Sequence, residues 1–167
     1  MTRSLAPDWS ATAAALAHEP IVTIALLAPK RAWPAPMLAL ASDDTTAPAQ
    51  FAFKLGQQPA DADRLTLVVS AAGHWLERGS DAVAAAAIAQ YRRTFEIHDG
   101  EAVDLASVRV DKRATFRCTA GVVRPPRDIL PGLGAAADYV AGPYPATLEA
   151  AVIAGEAAAR ATPDRKS

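Results

Sequence analysis

The chain has 167 residues, 17 Lys+Arg against 18 Asp+Glu, one Cys and three His. That length suits one domain or a large piece of one. The balanced charge argues against a broad basic surface for nucleic acid, and a single Cys excludes an internal disulfide framework or a Cys-cluster metal site. The His residues have no ligand neighbours at zinc spacing. No stretch approaches the roughly 20 apolar residues of a membrane-spanning helix, and MTRSLAPDWS lacks a signal-peptide core. The expectation is a soluble cytoplasmic protein, with peripheral membrane contact left open. Apolar residues make up 51%, but many are alanine, so each buries little area and the core is thinner than that figure suggests.

In chain order, Ser10–Ala17 reads as a short helix capped by Ser10 and stopped by Pro20. Ile21–Leu27 is continuously apolar and β-branched, as in a strand buried on both faces. Pro29, Pro34 and Pro36 enforce an irregular passage. Met37–Leu40 is a short strand, Ser42–Ala49 a polar hairpin loop with Asp43 and Asp44 in solvent, and Gln50–Leu55 a strand with Phe51 and Phe53 on one side. Pro59–Arg64 reads as a loop and Leu65–Ser70 as a strand. Ser80 caps a helix from Asp81 to about Phe95, with Asp81 in its first turn and a solvated Arg92-Arg93 in its last. Glu96–Gly100 is a turn and Val103–Arg117 a strand. Arg124–Arg127 is a rigid extended linker; Ile129–Tyr139 is ambiguous. Pro145–Arg160 reads as a helix with Pro in its first turn, followed by the polar tail TPDRKS. This order predicts an α+β fold: a mixed, largely antiparallel sheet flanked by helices.

Most chemical signals are weak. Gly132–Ala137 matches G-x-G-x-x-A, but no buried strand precedes it and Gly142-Pro143 ends any helix that follows, so it does not read as a dinucleotide fingerprint. No Ser or Cys sits in a nucleophile elbow. Cys118 reads as a small buried or half-buried side chain. Trp33, Trp75 and Phe51 read as core. No residue stands out as a general acid or base.

The segment Ala136–Ala159, AADYVAGPYPATLEAAVIAGEAAA, is different. Ala136, Asp138, Tyr139, Pro145, Ala146, Thr147, Leu148, Glu149 and Ala151 follow the order A-G-D-W, spacer, P-A-T-I/L-E-G-A, and Gly155 matches a later S-G. This resembles the C-terminal flavin-contacting motif of the FAD-dependent amine oxidase and isoprenoid desaturase superfamily. Lys112–Phe116 resembles the E-K-R-A-T-F strand of one branch, the squalene-associated FAD-dependent desaturases or hydroxysqualene dehydroxylases. Glu19–Thr23 resembles its E-P-I-V-T strand start. Gln50–Lys54, after Pro36-Met37-Leu38, resembles its Q-W-v-F-d strand. Ala137 stands where that family has Gly.

The resemblance implies FAD as cofactor and a long apolar isoprenoid as substrate. It implies that Asp138 meets cofactor hydroxyls, that the backbone at Ala146, Thr147 and Leu148 meets the flavin ring, and that Tyr139 and Tyr144 shape its surroundings. The chemistry suits the motif. A reduced flavin is negative near N1 and the C2 carbonyl, and a helix N-terminus offers free N–H groups to an anion. On this reading residues 1–128 are a substrate-domain-like region and 129–167 a flavin-contact strand–turn–helix. The sheet's apolar residues, Ile21–Leu27, Phe51, Phe53 and Leu65–Val69, line a hydrocarbon pocket or form the core. The family's N-terminal nucleotide-binding βαβ unit has no counterpart before Ile21. The expectations are therefore a subunit of a split enzyme completed by a separate nucleotide-binding chain, a truncated or decayed frame, or a domain reused to bind lipid or protein without catalysis.

Overall fold

The computed structural model describes residues 2–56 and 61–161. The chain divides into two compact units, Glu19–Ala114, and Met1–His18 with Thr115–Ser167. The architecture is α+β with a mostly antiparallel five-stranded sheet, as the sequence predicts.

The sheet consists of strands β1 (His18–Pro29), β2 (Met37–Ala39), β3 (Phe51–Lys54), β4 (Ala62–Val69) and β5 (Asp104–Phe116), all but the first residue of β1 and the last two of β5 in the central unit, Glu19–Ala114. Their order is β2-β3-β4-β1-β5, and the β2–β3, β3–β4 and β4–β1 pairings are antiparallel. Side chains alternate across a strand, and the register puts Val22 opposite Val69, Ile24 opposite Leu67 and Leu26 opposite Leu65. All six are fully buried, as is Ala52 of β3. They form one cluster with Trp75 of the short helix α3 (Gly73–Leu76) and with Val83, Ala87 and Tyr91 of α4 (Ser80–Thr94). Each buried Val, Leu or Ile in such a cluster contributes about 1.5–3 kcal/mol.

Buried polar groups pin the loops to this core. Gln90, 2% exposed, accepts the Ala49 N–H at 2.8 Å and donates to the Ala49 and Ala41 carbonyls at 2.8 and 2.7 Å. One side chain thus satisfies the buried backbone of the β2–β3 loop. Asp63, expected in a loop, is a buried residue of β4. It accepts the Arg31 amide at 3.0 Å and pairs with Lys54 at 2.9 Å. Arg31 in turn grips both oxygens of Glu101, at 2.6 and 2.7 Å.

Several local expectations need correction. The N-terminal helix is α2 (Pro7–Ala14), preceded by α1 (Thr2–Leu5); Pro7 opens it, a position where its missing N–H costs nothing, and Ser10 lies inside it rather than at its cap. Pro20 sits within β1. Residues 57–60 of the expected Pro59–Arg64 loop lie outside the described residues, and Ala62–Arg64 are strand. Ser80 is the first helical residue of α4, after Gly79 at φ 88°. Asp43 is not merely solvated: its carboxylate accepts the amides of Thr45, Thr46 and Ala47 at 2.7, 2.5 and 3.2 Å. The Thr46 and then Thr45 amides hold it well below the usual carboxylate range. Arg92 donates to the Glu101 and His98 carbonyls and Arg93 to that of Thr46, so this helix end ties down loops. Cys118 is exposed, and the tail TPDRKS lies outside the described residues.

The other unit has a smaller core, with Ala6, Leu16, Phe116, Val140, Ala150 and Ala154 buried. Trp9 Nε1 donates to the Pro126 carbonyl at 2.7 Å. The ambiguous segment resolves into a hairpin, β6 (Asp128–Leu130) and β7 (Leu133–Gly134). Its turn is Pro131-Gly132 with Gly132 at φ 78°, a conformation that glycine adopts without steric cost. Helix α5 (Leu148–Ala161) follows.

The Tyr91 hydroxyl is buried without a hydrogen-bond partner among the described residues, and its pKa is pushed up to about 12 from 10.0, by burial first and by the Asp63 charge second. The fold holds this phenol neutral, so its contribution to stability is complete below the unfolded pKa of 10.0 and falls as pH rises toward about 12. Tyr91→Phe is expected to be neutral or slightly stabilising at pH 7, because it removes an unsatisfied polar atom. It is also expected to flatten the alkaline loss of stability; urea midpoints of both proteins, from neutral pH to about pH 11, check both effects.

Candidate functional site

Two places hold the residues that the sequence singles out. The first is the segment from β7 into α5. Helix α5 begins at Leu148, not at Pro145. Tyr144 and Ala146 adopt φ of 52° and 59°, a left-handed backbone that cannot continue a right-handed helix. Thr147 is the effective cap: its hydroxyl donates to the Tyr144 carbonyl at 2.5 Å and accepts the Ala150 amide at 3.2 Å. The Leu148 and Glu149 amides have no partner among the described residues. Leu148 is 88% exposed and Tyr144 61%, so this helix end faces solvent.

β7 ends at Gly134, and Asp138 lies in the turn that follows. The loop folds back so that the Asp138 carbonyl accepts the Ala146 amide at 3.5 Å. Asp138, Ala146, Thr147 and Leu148 are thereby gathered in one small region, with Tyr139 half-buried beside Asp138 in sequence. Ala137 does not have a positive φ, so its methyl group costs no backbone strain there.

Sequence reasoning missed what holds this loop. Arg124, read as part of a linker, donates to the Val140 and Gly142 carbonyls at 2.8 and 2.5 Å, and the Ala141 amide donates to the Pro125 carbonyl at 2.8 Å. The prolines hold the segment extended, and the guanidinium uses that rigidity to fix the loop. Nothing in the spacing of RPPR signals the contact.

The donor set suits a negatively charged group. Free amides at a helix N-terminus favour negative charge, and Ala146 and Thr147 add little bulk in front of them. The Glu149 carboxylate lies in the same first turn, where it already answers the helix dipole, so an external anion shares that field with it.

The second place is the other face of the five-stranded sheet. Phe51 and Phe53 do lie on one side, as expected, but it is the side away from the core cluster. Cross-strand partners align them in rows, Ala39–Phe51–Val68–Thr23 and Met37–Phe53–Thr66–Ala25. None of these eight residues belongs to the core cluster. Met37 is 51% exposed and Phe51 37%; Phe53, Val68 and Ala25, with Ile21 and Leu27 farther along β1, are half-buried. The Phe51 and Phe53 rings lie 6.4 Å apart. Four strands about 4.8 Å apart span roughly 14 Å of this surface.

No group of His, Cys, Asp and Glu able to hold a metal occurs among the described residues, and no described helix is long and apolar enough to cross a membrane. No family model matches the chain, and no curated protein matches it.

Loss of the Thr147 cap is expected to loosen the helix start. Thr147→Ala should cost about 1 kcal/mol and Thr147→Ser only a few tenths, because serine keeps the capping oxygen. Urea unfolding followed by circular dichroism measures the difference.

Proposed function

We propose that the chain is the substrate- and flavin-contacting part of an FAD-dependent oxidoreductase acting on a long apolar isoprenoid, completed by a separate nucleotide-binding chain. The observation that carries the reading is the sheet's second face. A sheet needs one apolar face to build a core, and here the core is complete with Val22, Ile24, Leu26, Ala52, Leu65, Leu67 and Val69. Met37, Phe51, Phe53 and Val68 form a further apolar surface that the core does not use. A chain of hydrocarbon without charge or hydrogen-bonding groups suits such a surface, since its recognition rests on buried apolar area.

The flavin part rests on the residues from Asp138 to Leu148. Asp138 is the acceptor for cofactor hydroxyls. The amides at the start of α5, left clear by Ala146 and Thr147, face the ring's electron-rich edge. When bound, FAD supplies the hydride-accepting chemistry. The chain's own residues bind and orient, and none is assigned a proton-transfer role. A second reading, a non-catalytic lipid-binding module, draws on the same sheet face and dispenses with the flavin.

The test is FAD fluorescence titrated with the purified chain, alone and with a second chain carrying a G-x-G-x-x-G nucleotide fold. The proposal expects a saturable change with the second chain present, weakened by Asp138→Ala. A folded chain that leaves FAD unaffected under both conditions overturns the flavoenzyme reading in favour of the lipid-binding module.

A further inference from the structure

Between the β6–β7 hairpin and the last turns of α5 lies a cleft of about 530 Å³. That is within the size range of small-molecule sites, roughly 300–1,000 Å³. None of the residues assigned above to flavin or isoprenoid lines it. Its wall is mainly apolar: Ile129, Leu130, Pro131 and Leu133 from the hairpin, Ala158 and Ala161 from α5. Leu130 and Leu133 are 37% and 42% exposed, so the wall is accessible.

Among the described residues, one cation lines this cleft. Arg127 is half-buried, and its Nε is buried without a hydrogen-bond partner among the described residues. Among the described residues its side chain makes no ion pair or hydrogen bond, and neighbouring Asp128, also at the cleft, does not pair with it. The contrast with Arg124, three residues earlier, is informative. Arg124 spends its guanidinium on two backbone carbonyls, whereas that of Arg127 meets no partner among the described residues. A buried donor without a partner carries a desolvation cost that a ligand oxygen would relieve. Guanidinium presents paired N–H groups that match the two oxygens of a carboxylate or phosphate.

We propose that this cleft binds a single-chain anionic amphiphile, its oxyanion head on Arg127 and its tail along Leu130, Leu133 and Ala158. Charge complementarity selects the head, and the hydrocarbon lining selects the tail. The inference is independent of flavin binding and of the sheet face, since it uses neither set of residues.

The experiment is calorimetric titration of the full chain with monomeric dodecyl phosphate, with laurate and with neutral dodecanol. Both anions are expected to bind more tightly than dodecanol, and the tighter of the two identifies a phosphate or a carboxylate head. Arg127→Gln is expected to weaken the anions by about tenfold to a hundredfold and to leave dodecanol unchanged, with partial recovery in Arg127→Lys. Leu133→Glu, at an exposed position, tests the cleft separately and is expected to abolish anion binding while retaining the wild-type circular dichroism. Equal affinity for dodecanol and the anions, unchanged affinity in Leu133→Glu or a folded Arg127→Gln, or no binding at all overturns the proposal.

Discussion

Everything in the central unit follows from the two-residue period of β1 and β4. Once Val22, Ile24 and Leu26 pair with Val69, Leu67 and Leu65 and are sealed by α3 and α4, the residues between them must face the other way. A slip of one residue would exchange the two faces. The register is therefore held by core burial, and the composition of the second face is free to serve something else. In most one-sided sheets that face is polar. Here it carries Phe51, Phe53, Met37 and Val68, and this departure motivates the functional reading.

The remaining contacts serve to hold that arrangement still. Gln90 fixes the β2–β3 loop by its backbone, and Asp43 organises the same loop from within through the Thr45, Thr46 and Ala47 amides. The buried Asp63 is matched by Lys54 and the Arg31 amide, which is what permits a carboxylate at 1% exposure. In the other unit, Arg124 and Thr147 do comparable work for the loop between β7 and α5. In both places an irregular segment is made rigid by side chains that bond to backbone, the kind of support a binding surface needs.

Much of this was legible in the sequence, and the rest was hidden for physical reasons. The alternation of β3 and the length and charge pattern of α4 report a local period, so those elements emerge at nearly the right bounds; the apolar run Ile21–Leu27, read as a strand buried on both faces, lies in the longer β1 and is fully buried only at alternate positions. Which face Phe51 and Phe53 occupy was not legible: period two separates faces but does not say which one a helix covers. Large aromatics suggest core, yet small Ala52 between them took that role. Helix α5 looked as if it began three residues earlier because Pro145 is a common first-turn residue. The left-handed backbone at Tyr144 and Ala146, and the Thr147 cap, decide the start instead. The partners of Arg124, Arg127, Asp63 and Gln90 are long-range contacts, or the lack of them, and no local pattern reports those. The order from Asp138 to Leu148 was visible as a motif, and the fold adds the turn that gathers it.

The account stands or falls on the sheet's second face, and Met37, one of only two methionines, reports on it directly. The measurement is the methyl resonance of labelled Met37 in the full chain, compared between empty neutral detergent micelles and micelles loaded with squalene. Binding along the Met37–Phe53 row predicts a saturable shift of that methyl, with the methyls of buried Ile24 unmoved. A Met37 resonance indifferent to squalene in the folded protein would contradict the claim that this face holds an apolar chain.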